Sequence, residues 1–264
     1  VDELRLVYGM TMEYFLGEDT NRNGALDLNE NDGEGSAPRD DQNGILLPGI
    51  AEYVTVYSSQ PATRASGSGR RINIQNQQSR GQLGNLLRQR LTADRANQVL
   101  RLAGNREFNS VLEFMWDTEL TAEEFGQIQG DIAHRDGAIA GLVNVNTASE
   151  TVLACLPGIG TEYASALVSY RLAHPDALTS LAWVKEVLPR PNAIRAGPYL
   201  TGQSFHFSVD VAAVGQFGRG YSRARTVFDC TTGTPRAVYH QDLSASGWAL
   251  GNQVRAQIRS NQVF

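Results

Sequence analysis

The chain has 264 residues, 41% of them hydrophobic and 19% charged, with a net charge of −5. This composition excludes a disordered or collagen-like chain, and at this length roughly 70–75% of the unfolded surface can be buried without covalent staples. Two cysteines, Cys155 and Cys230, are too few for a disulfide framework, no apolar run reaches the ~18 residues of a membrane span, and the single lysine, Lys185, lies outside any GxxxxGK[ST] phosphate loop.

In chain order, residues 2–16 read as helix with a break at Gly9, and the apolar positions are Leu4, Leu6, Val7, Met10, Tyr14 and Phe15. Residues 17–44 follow, with eight acids against Arg22 and Arg39, so this segment carries the whole acidic excess of the chain. The β-branched, aromatic run 50–58 predicts a strand, 59–70 a Ser/Gly/Pro-rich loop, and 71–75 a short extended segment. Residues 79–103 predict one helix. Thr121 and Glu124 form a capping box for the next, and Thr147 with Glu150 predicts a second box, ahead of helices near 148–156, 161–173 and 180–188. RINIQNQ at 71–77 echoes LVNVNTA at 142–148, and each precedes a helix. Beyond Pro198 the pattern changes to period two. Phe205, Phe207, Val209, Val211 and Ala213 alternate with polar or small residues, and strands near 221–231 and 236–241 complete an antiparallel meander with one buried face. Cys155, in the apolar run Val152–Leu156, reads as a small buried hydrophobe.

Asp19 to Glu30 matches the calcium-loop pattern D-x-[DN]-x-[DN]-G-x5-E at every specified position. Calcium takes six to eight hard oxygens. Side-chain oxygens of Asp19, Asn21 and Asn23, the Ala25 carbonyl, Asp27 and a two-oxygen contribution from Glu30 supply such a set, and Gly24 makes the turn. Residues 31–36 do not favour an exiting helix, so the loop reads as a structural clamp and not as a sensor. Asp40, Asp41 and Asn43 could add ligands or simply form an Asx turn.

A second motif covers 143–170. An extended VNVN, a helix, the tight turn Pro157-Gly158-Ile159-Gly160 and another helix make a helix-hairpin-helix. Such hairpins can present amides to phosphate, but Glu162 follows the turn, no lysine lies near, and the chain is net acidic. Because phosphate contacts dominate duplex affinity, the hairpin reads as architectural and no nucleic-acid partner is expected. The basic helix near residue 90 (Arg88, Arg90, Arg95, Arg101, Arg106) reads as a solvated face. His134, His174, His206 and His240 show no metal or catalytic spacing, and Gly215–Gly220 is not a dinucleotide fingerprint, so a non-enzyme is expected.

The fold class is therefore α+β. A mainly helical body, 1–200, has helix-hairpin-helix (SAM-like) elements at 143–188 and the calcium loop at 17–44, and a β meander follows over 201–264. VDELRLVYGMT at 1–11, YVTVYS at 53–58 and VNVNTASETVLACLPGIG at 143–160, in that order and followed by the meander, resemble the minor pseudopilin K family of type II secretion systems. The resemblance implies a pilin-like meander, a helical insertion inside which this chain begins, and calcium as a bound ion. It also implies a place at the pseudopilus tip beside pseudopilins I and J, with secreted substrates nearby. The location implied is the periplasmic side of an inner membrane, reached through an N-terminal helix outside this chain. Two other functions remain open: a competence-type DNA-binding protein using the hairpin, and an extracellular calcium-stabilised adhesion module.

Overall fold

A computed structural model describes residues 1–37, 39–65, 67, 69–215, 220–249 and 251–260, leaving aside the side chains of 252, 253, 258 and 259. Residues 216–219 of the Gly215–Gly220 run thus lie outside the described residues. The chain divides into two compact units, Val1–Val56 with His206–Phe264, and Tyr57–Phe205. The architecture is α+β, as expected, but the division differs from the one drawn at residue 200. The boundary falls after Phe205, and residues 1–56, acidic loop included, group with the C-terminal sheet and not with the helical body. The acidic segment has almost no apolar side chains to give a helical core, whereas its polar groups find partners on the sheet, as described below.

The first unit opens with a 3-10 turn, Asp2–Leu6, and α1, Met12–Leu16, separated at Gly9 (φ 86°). Thr11 caps α1 by accepting from the Tyr14 amide at 3.2 Å. Of the expected apolar face only Phe15 is buried, while Leu6, Tyr8 and Tyr14 are exposed. The strand predicted over 50–58 is absent. Ile50–Tyr53 forms a single helical turn, α2, and the chain then runs extended. Strand propensity needs a pairing ladder to act on, and among the described residues the ladder with β4 begins only at Ser59.

In the second unit β1 (Ser59–Gln60) and β2 (Ile72–Asn73) precede α3 (Arg80–Arg90) and α4 (Ala93–Ala103). These are two helices where one was predicted. Leu91 is extended (ψ 169°), and Thr92 caps α4. Then come α5 (Val111–Asp117), α6 (Ala122–Ile128), β3 (Ile132–Ala133), β4 (Ile139–Ala140), β5 (Val143–Asn144), α7 (Glu150–Ala154), α8 (Gly160–Ala173), α9 (Arg190–Ala196) and β6 (Leu200–Thr201). The Thr121–Glu124 capping box forms on α6 as predicted. The second box does not. Ser149, not Thr147, caps α7, because the Thr147 and Ala148 amides both donate to the Asn144 carbonyl and close a turn that delays the helix. The strands pair two by two: β1 antiparallel to β4, β2 parallel to β3, and β5 parallel to β6. One core joins Ile72, Leu87, Val99, Phe108, Phe114, Phe125, Leu153, Leu167 and Trp183. The sequence echo has a structural counterpart. Asn73 and Asn144 each accept from the amide two residues on (2.9 and 3.0 Å), and Ile74 and Val145 behind them are buried.

The chain returns to the first unit with β7 (His206–Val214), β8 (Tyr221–Asp229) and β9 (Arg236–Asp242), an antiparallel meander in the order β7-β8-β9, followed by α10 (Gly251–Arg259). Its buried face is the opposite of the predicted one. Phe207, Val209 and Val211 are 50%, 42% and 58% exposed, whereas Arg223 and Val227, on the other side of β8, are 3% and 6% exposed.

Candidate functional sites: an acidic loop and a helical hairpin

The acidic loop is held by its own side chains. Asp19 accepts from the Asn23 and Gly24 amides, both at 3.0 Å, and Asn21 and Asn23 each accept from the amide two residues later. These are the Asx turns that short polar side chains favour. Asn21 and Asn23 both donate their side-chain amides to Asp27 Oδ2, at 2.9 and 3.0 Å. Glu30 accepts from Thr20 (amide and hydroxyl, 3.1 Å) and, through its other oxygen, from the Asp27 amide. The last contact belongs to a capping box on the 3-10 turn Leu28–Glu30.

Glu18, Asp19, Asp27 and Glu30 are all buried. Burial pushes the Glu30 carboxyl above its ordinary range, and the negative charges of Asp19 and Asp27 add to the effect against the hydrogen bonds it accepts. Among the described residues no group of three or more His, Cys, Asp or Glu side chains is arranged to hold a metal ion. The loop brings the predicted residues together as a network in which amide N–H groups face the carboxylates. Asp40, Asp41 and Asn43 form successive Asx turns: Gln42 donates to Asp40, Asn43 to Asp41 and Ile45 to Asn43. Asp40 also accepts from the Asp32 and Gly33 amides. Desolvation would raise its pKa, but these amide bonds prevail and hold it below the ordinary carboxylate range.

Sequence reasoning missed the anchors of this loop. Asn23 donates to the Trp248 carbonyl at 2.8 Å, and Trp248 stacks on Tyr221 with ring centroids 4.6 Å apart. Arg223 donates to the Arg22 carbonyl and makes a two-point pair with Asp210, Nε to Oδ1 at 2.9 Å and Nη2 to Oδ2 at 2.7 Å. The available signal was an arginine on β8, between Ser222 and Ala224. On an alternating strand it reads as solvent-facing, and only the loop lying over it makes that face the inner one.

The hairpin joins α7 to α8. Two of the turn amides point inward, Ile159 N–H and Gly160 N–H both donating to the Leu156 carbonyl at 3.2 and 3.3 Å. Gly158 (φ 85°) is pressed on α9. A Cβ there would lie 2.5 Å from the Asn192 carbonyl oxygen, and Asn192 donates its side-chain amide to the Gly158 carbonyl at 2.8 Å. Gly160 (φ 61°) faces open space, and Pro157 is exposed while Ile159 is buried. The VNVN segment is fixed by Asn146, which donates to the Leu178 and Gly202 carbonyls (3.0 and 2.9 Å) and accepts from Trp183 Nε1 (2.8 Å). Arg171 of α8 donates to the Val145 carbonyl. Of the basic helix residues, Arg90, Arg95 and Arg106 pair with Asp131, Glu124 and Asp117, and Arg88 and Arg101 are exposed. Cys155, expected to be buried, is exposed at the end of α7.

Residues 139–186 match the family model of the helix-hairpin-helix motif. No curated protein and no solved structure matched the chain.

Proposed function

We propose that the chain is a non-enzymatic assembly component of the minor pseudopilin K type. It would work by protein–protein contacts at the tip of a type II secretion pseudopilus, on the periplasmic side of the inner membrane. The observation that carries this reading is the sheet of the first unit. One face packs Arg223 and Val227 inward, and the other leaves Phe207, Val209 and Val211 exposed. An apolar strip of this kind marks a surface that another chain covers. Exposed Leu6, Tyr8 and Tyr14 in the same unit add to the apolar surface on offer. Among the described residues no helix is long and apolar enough to cross a membrane, so in this reading anchoring falls to a segment outside the chain.

Calcium belongs to the same proposal. The loop offers hard oxygens from Asp19, Asn21, Asn23, Asp27 and Glu30, a donor set that suits calcium. Asn21 and Asn23 now bring to Asp27 the positive ends of two amide dipoles, which a cation would replace with a full charge. The ion would lower the repulsion among the buried acids and tie the loop to the sheet.

The DNA-binding alternative draws on the helix-hairpin-helix match and on Arg195, whose Cβ lies beside Gly158. The geometry supports it less, because the Ile159 and Gly160 amides already donate to Leu156 and Glu162 occupies the first turn of α8. Co-expression with I- and J-type pseudopilins followed by size-exclusion chromatography tests the assembly reading. Co-elution that is lost in Val209→Glu/Val211→Glu supports it. Salt-sensitive submicromolar binding to duplex DNA, with no co-elution, would replace it by the alternative.

A further inference from the structure

The sheet of the first unit ends in two unlike edges. β9 carries Arg236, His240 and Asp242, all exposed, and its register with β8 shifts between Val227 and Phe228. Charged side chains and irregular register keep an edge strand from pairing with another chain. β7 has no such protection. It runs for nine residues in unbroken register with β8 and holds no proline, lysine or arginine. Its one carboxylate, Asp210, is already matched by Arg223 and Arg225 of β8, at 2.7 and 3.2 Å. Every residue from Phe207 to Val214 is exposed, in the apolar row and in the Asp210 row alike, so neither face of the strand is covered.

The alternation of the backbone fixes which groups this edge offers. In an antiparallel ladder successive residues turn their N–H and C=O to opposite sides. Gly215 N–H donates to the Gly220 carbonyl at 3.0 Å, so Gly215 faces β8, and Ala213, Val211, Val209 and Phe207 do the same. Arg223, opposite Ala212, accepts at its carbonyl from Leu243 N–H on its far side at 2.7 Å, which gives the same alternation from β8. His206, Ser208, Asp210, Ala212 and Val214 therefore point N–H and C=O away from β8, and among the described residues no strand pairs with them.

We propose that β7 pairs antiparallel with β7 of a second copy of this chain, about a two-fold axis at Val209, and so makes one continuous sheet. Outward-pointing residues must meet outward-pointing residues, so the axis falls on a residue. An axis at Asp210 sets two carboxylates directly opposite each other, and an axis at Val211 sets Ser208 against Val214. An axis at Val209 sets the Ser208 hydroxyl, a donor, opposite the Asp210 carboxylate of the second copy, and Phe207 opposite Val211 in the apolar row, a favourable aromatic and β-branched pair. Ser208 with Asp210, and His206 with Ala212, then each exchange two backbone hydrogen bonds. A second copy suits this edge because its own sequence supplies both rows and brings its own arginines for its carboxylate. Both apolar rows stay on one side of the joined sheet, so self-pairing at the edge and capture of a pseudopilin on the face are separate events.

Sedimentation equilibrium of the full chain from about 1 to 200 µM should show a monomer–dimer equilibrium. Ala212→Pro removes one outward amide from each copy and leaves the ladder with β8 its donors. It should weaken the dimer roughly tenfold or more, with unchanged far-ultraviolet circular dichroism. Cross-linking reads the register without a proline. With Cys155 and Cys230 replaced by serine, Val209→Cys places two thiols on a non-hydrogen-bonded pair, Cα atoms about 4.5 Å apart and within disulfide reach. With oxidised glutathione it should give a covalent dimer, whereas Val211→Cys, whose two copies lie about 14 Å apart, should not. A chain that stays monomeric throughout, a dimer that a folded Ala212→Pro leaves intact, or cross-linking of Val211→Cys as fast as Val209→Cys overturns the proposal. A monomer that still co-elutes with pseudopilins sinks self-pairing and leaves the assembly reading standing, and a Val209→Cys dimer without co-elution does the reverse.

Discussion

Single side chains decide more of the second unit than its helix propensities do. Asn146 uses both ends of its amide to bind the Leu178 and Gly202 carbonyls and the Trp183 indole, joining three segments that are distant in sequence. Asn146→Ala leaves two carbonyls and one indole N–H without this partner, and should cost on the order of 2–4 kcal/mol. Denaturant unfolding followed by tryptophan fluorescence checks this, and an unchanged midpoint would mean that water replaces the side chain at no cost. Glu124 carries a second local load. Its bonds to Arg95, at 2.7 and 2.9 Å, hold its carboxyl below the ordinary range despite desolvation, and the capping bonds to Thr121 add to this. A carboxyl with a lowered folded pKa stabilises the fold at pH values above its unfolded pKa of about 4.3, and that contribution is lost as pH falls through the folded value. Stability of the second unit should therefore fall below about pH 4.5. Glu124→Gln should be less stable at neutral pH and show a shallower acid slope in thermal melts recorded from pH 3 to 7. At this same scale the mutual contacts of the acidic-loop side chains were legible in the sequence because their spacing is local. Arg223 and Trp248 were not, since their role exists only once a distant loop lies over the sheet.

Elements were legible where their signals were self-contained. The meander was found because period two persists over nine residues in β7 and in β8, and α6 was found because Thr121 and Glu124 close a capping box within four residues. Failures occurred where a tertiary partner decides. Residues 50–58 have strand-forming side chains but among the described residues join no ladder, and the start of α7 shifted because Asn144 draws the Thr147 and Ala148 amides into a turn. The hairpin shows the same division within a single turn. Both Gly158 and Gly160 have left-handed φ, which costs an alanine roughly 1–2 kcal/mol. Only Gly158 also presses on α9. Gly160→Ala should therefore cost about 1–2 kcal/mol, and Gly158→Ala clearly more, because the Asn192 carbonyl would have to retreat as well. The two melting temperatures, measured side by side, check the order. Equal losses would show that backbone conformation alone makes the turn sensitive.

At the scale of the whole molecule, the chain is one continuous unit, Tyr57–Phe205, set in sequence between the two halves of another. The second unit has its own apolar core, whereas the first relies on a sheet with one uncovered face and on a loop rich in buried acids. Any cation effect on stability should therefore be confined to the first unit. Calcium that binds only the native loop adds about 2.7 kcal/mol at a hundredfold excess over its dissociation constant. For a unit of this size that corresponds to a shift on the order of 10 °C. The expected melt of the full chain has two transitions, of which calcium raises one. Excised residues 57–205 should fold, keep their helical circular dichroism and melt at one temperature with or without the ion. Glu30→Gln keeps one acceptor oxygen for Thr20, loses the one that takes the Asp27 amide, and removes one of the clustered charges, so it should change the ion-free chain little while abolishing most of the calcium shift. A calcium shift that appears in the excised unit, or survives in Glu30→Gln, would place the ion elsewhere. A single transition that moves as a whole would mean that the two units unfold together, and the loop would then stabilise the helical body through that coupling.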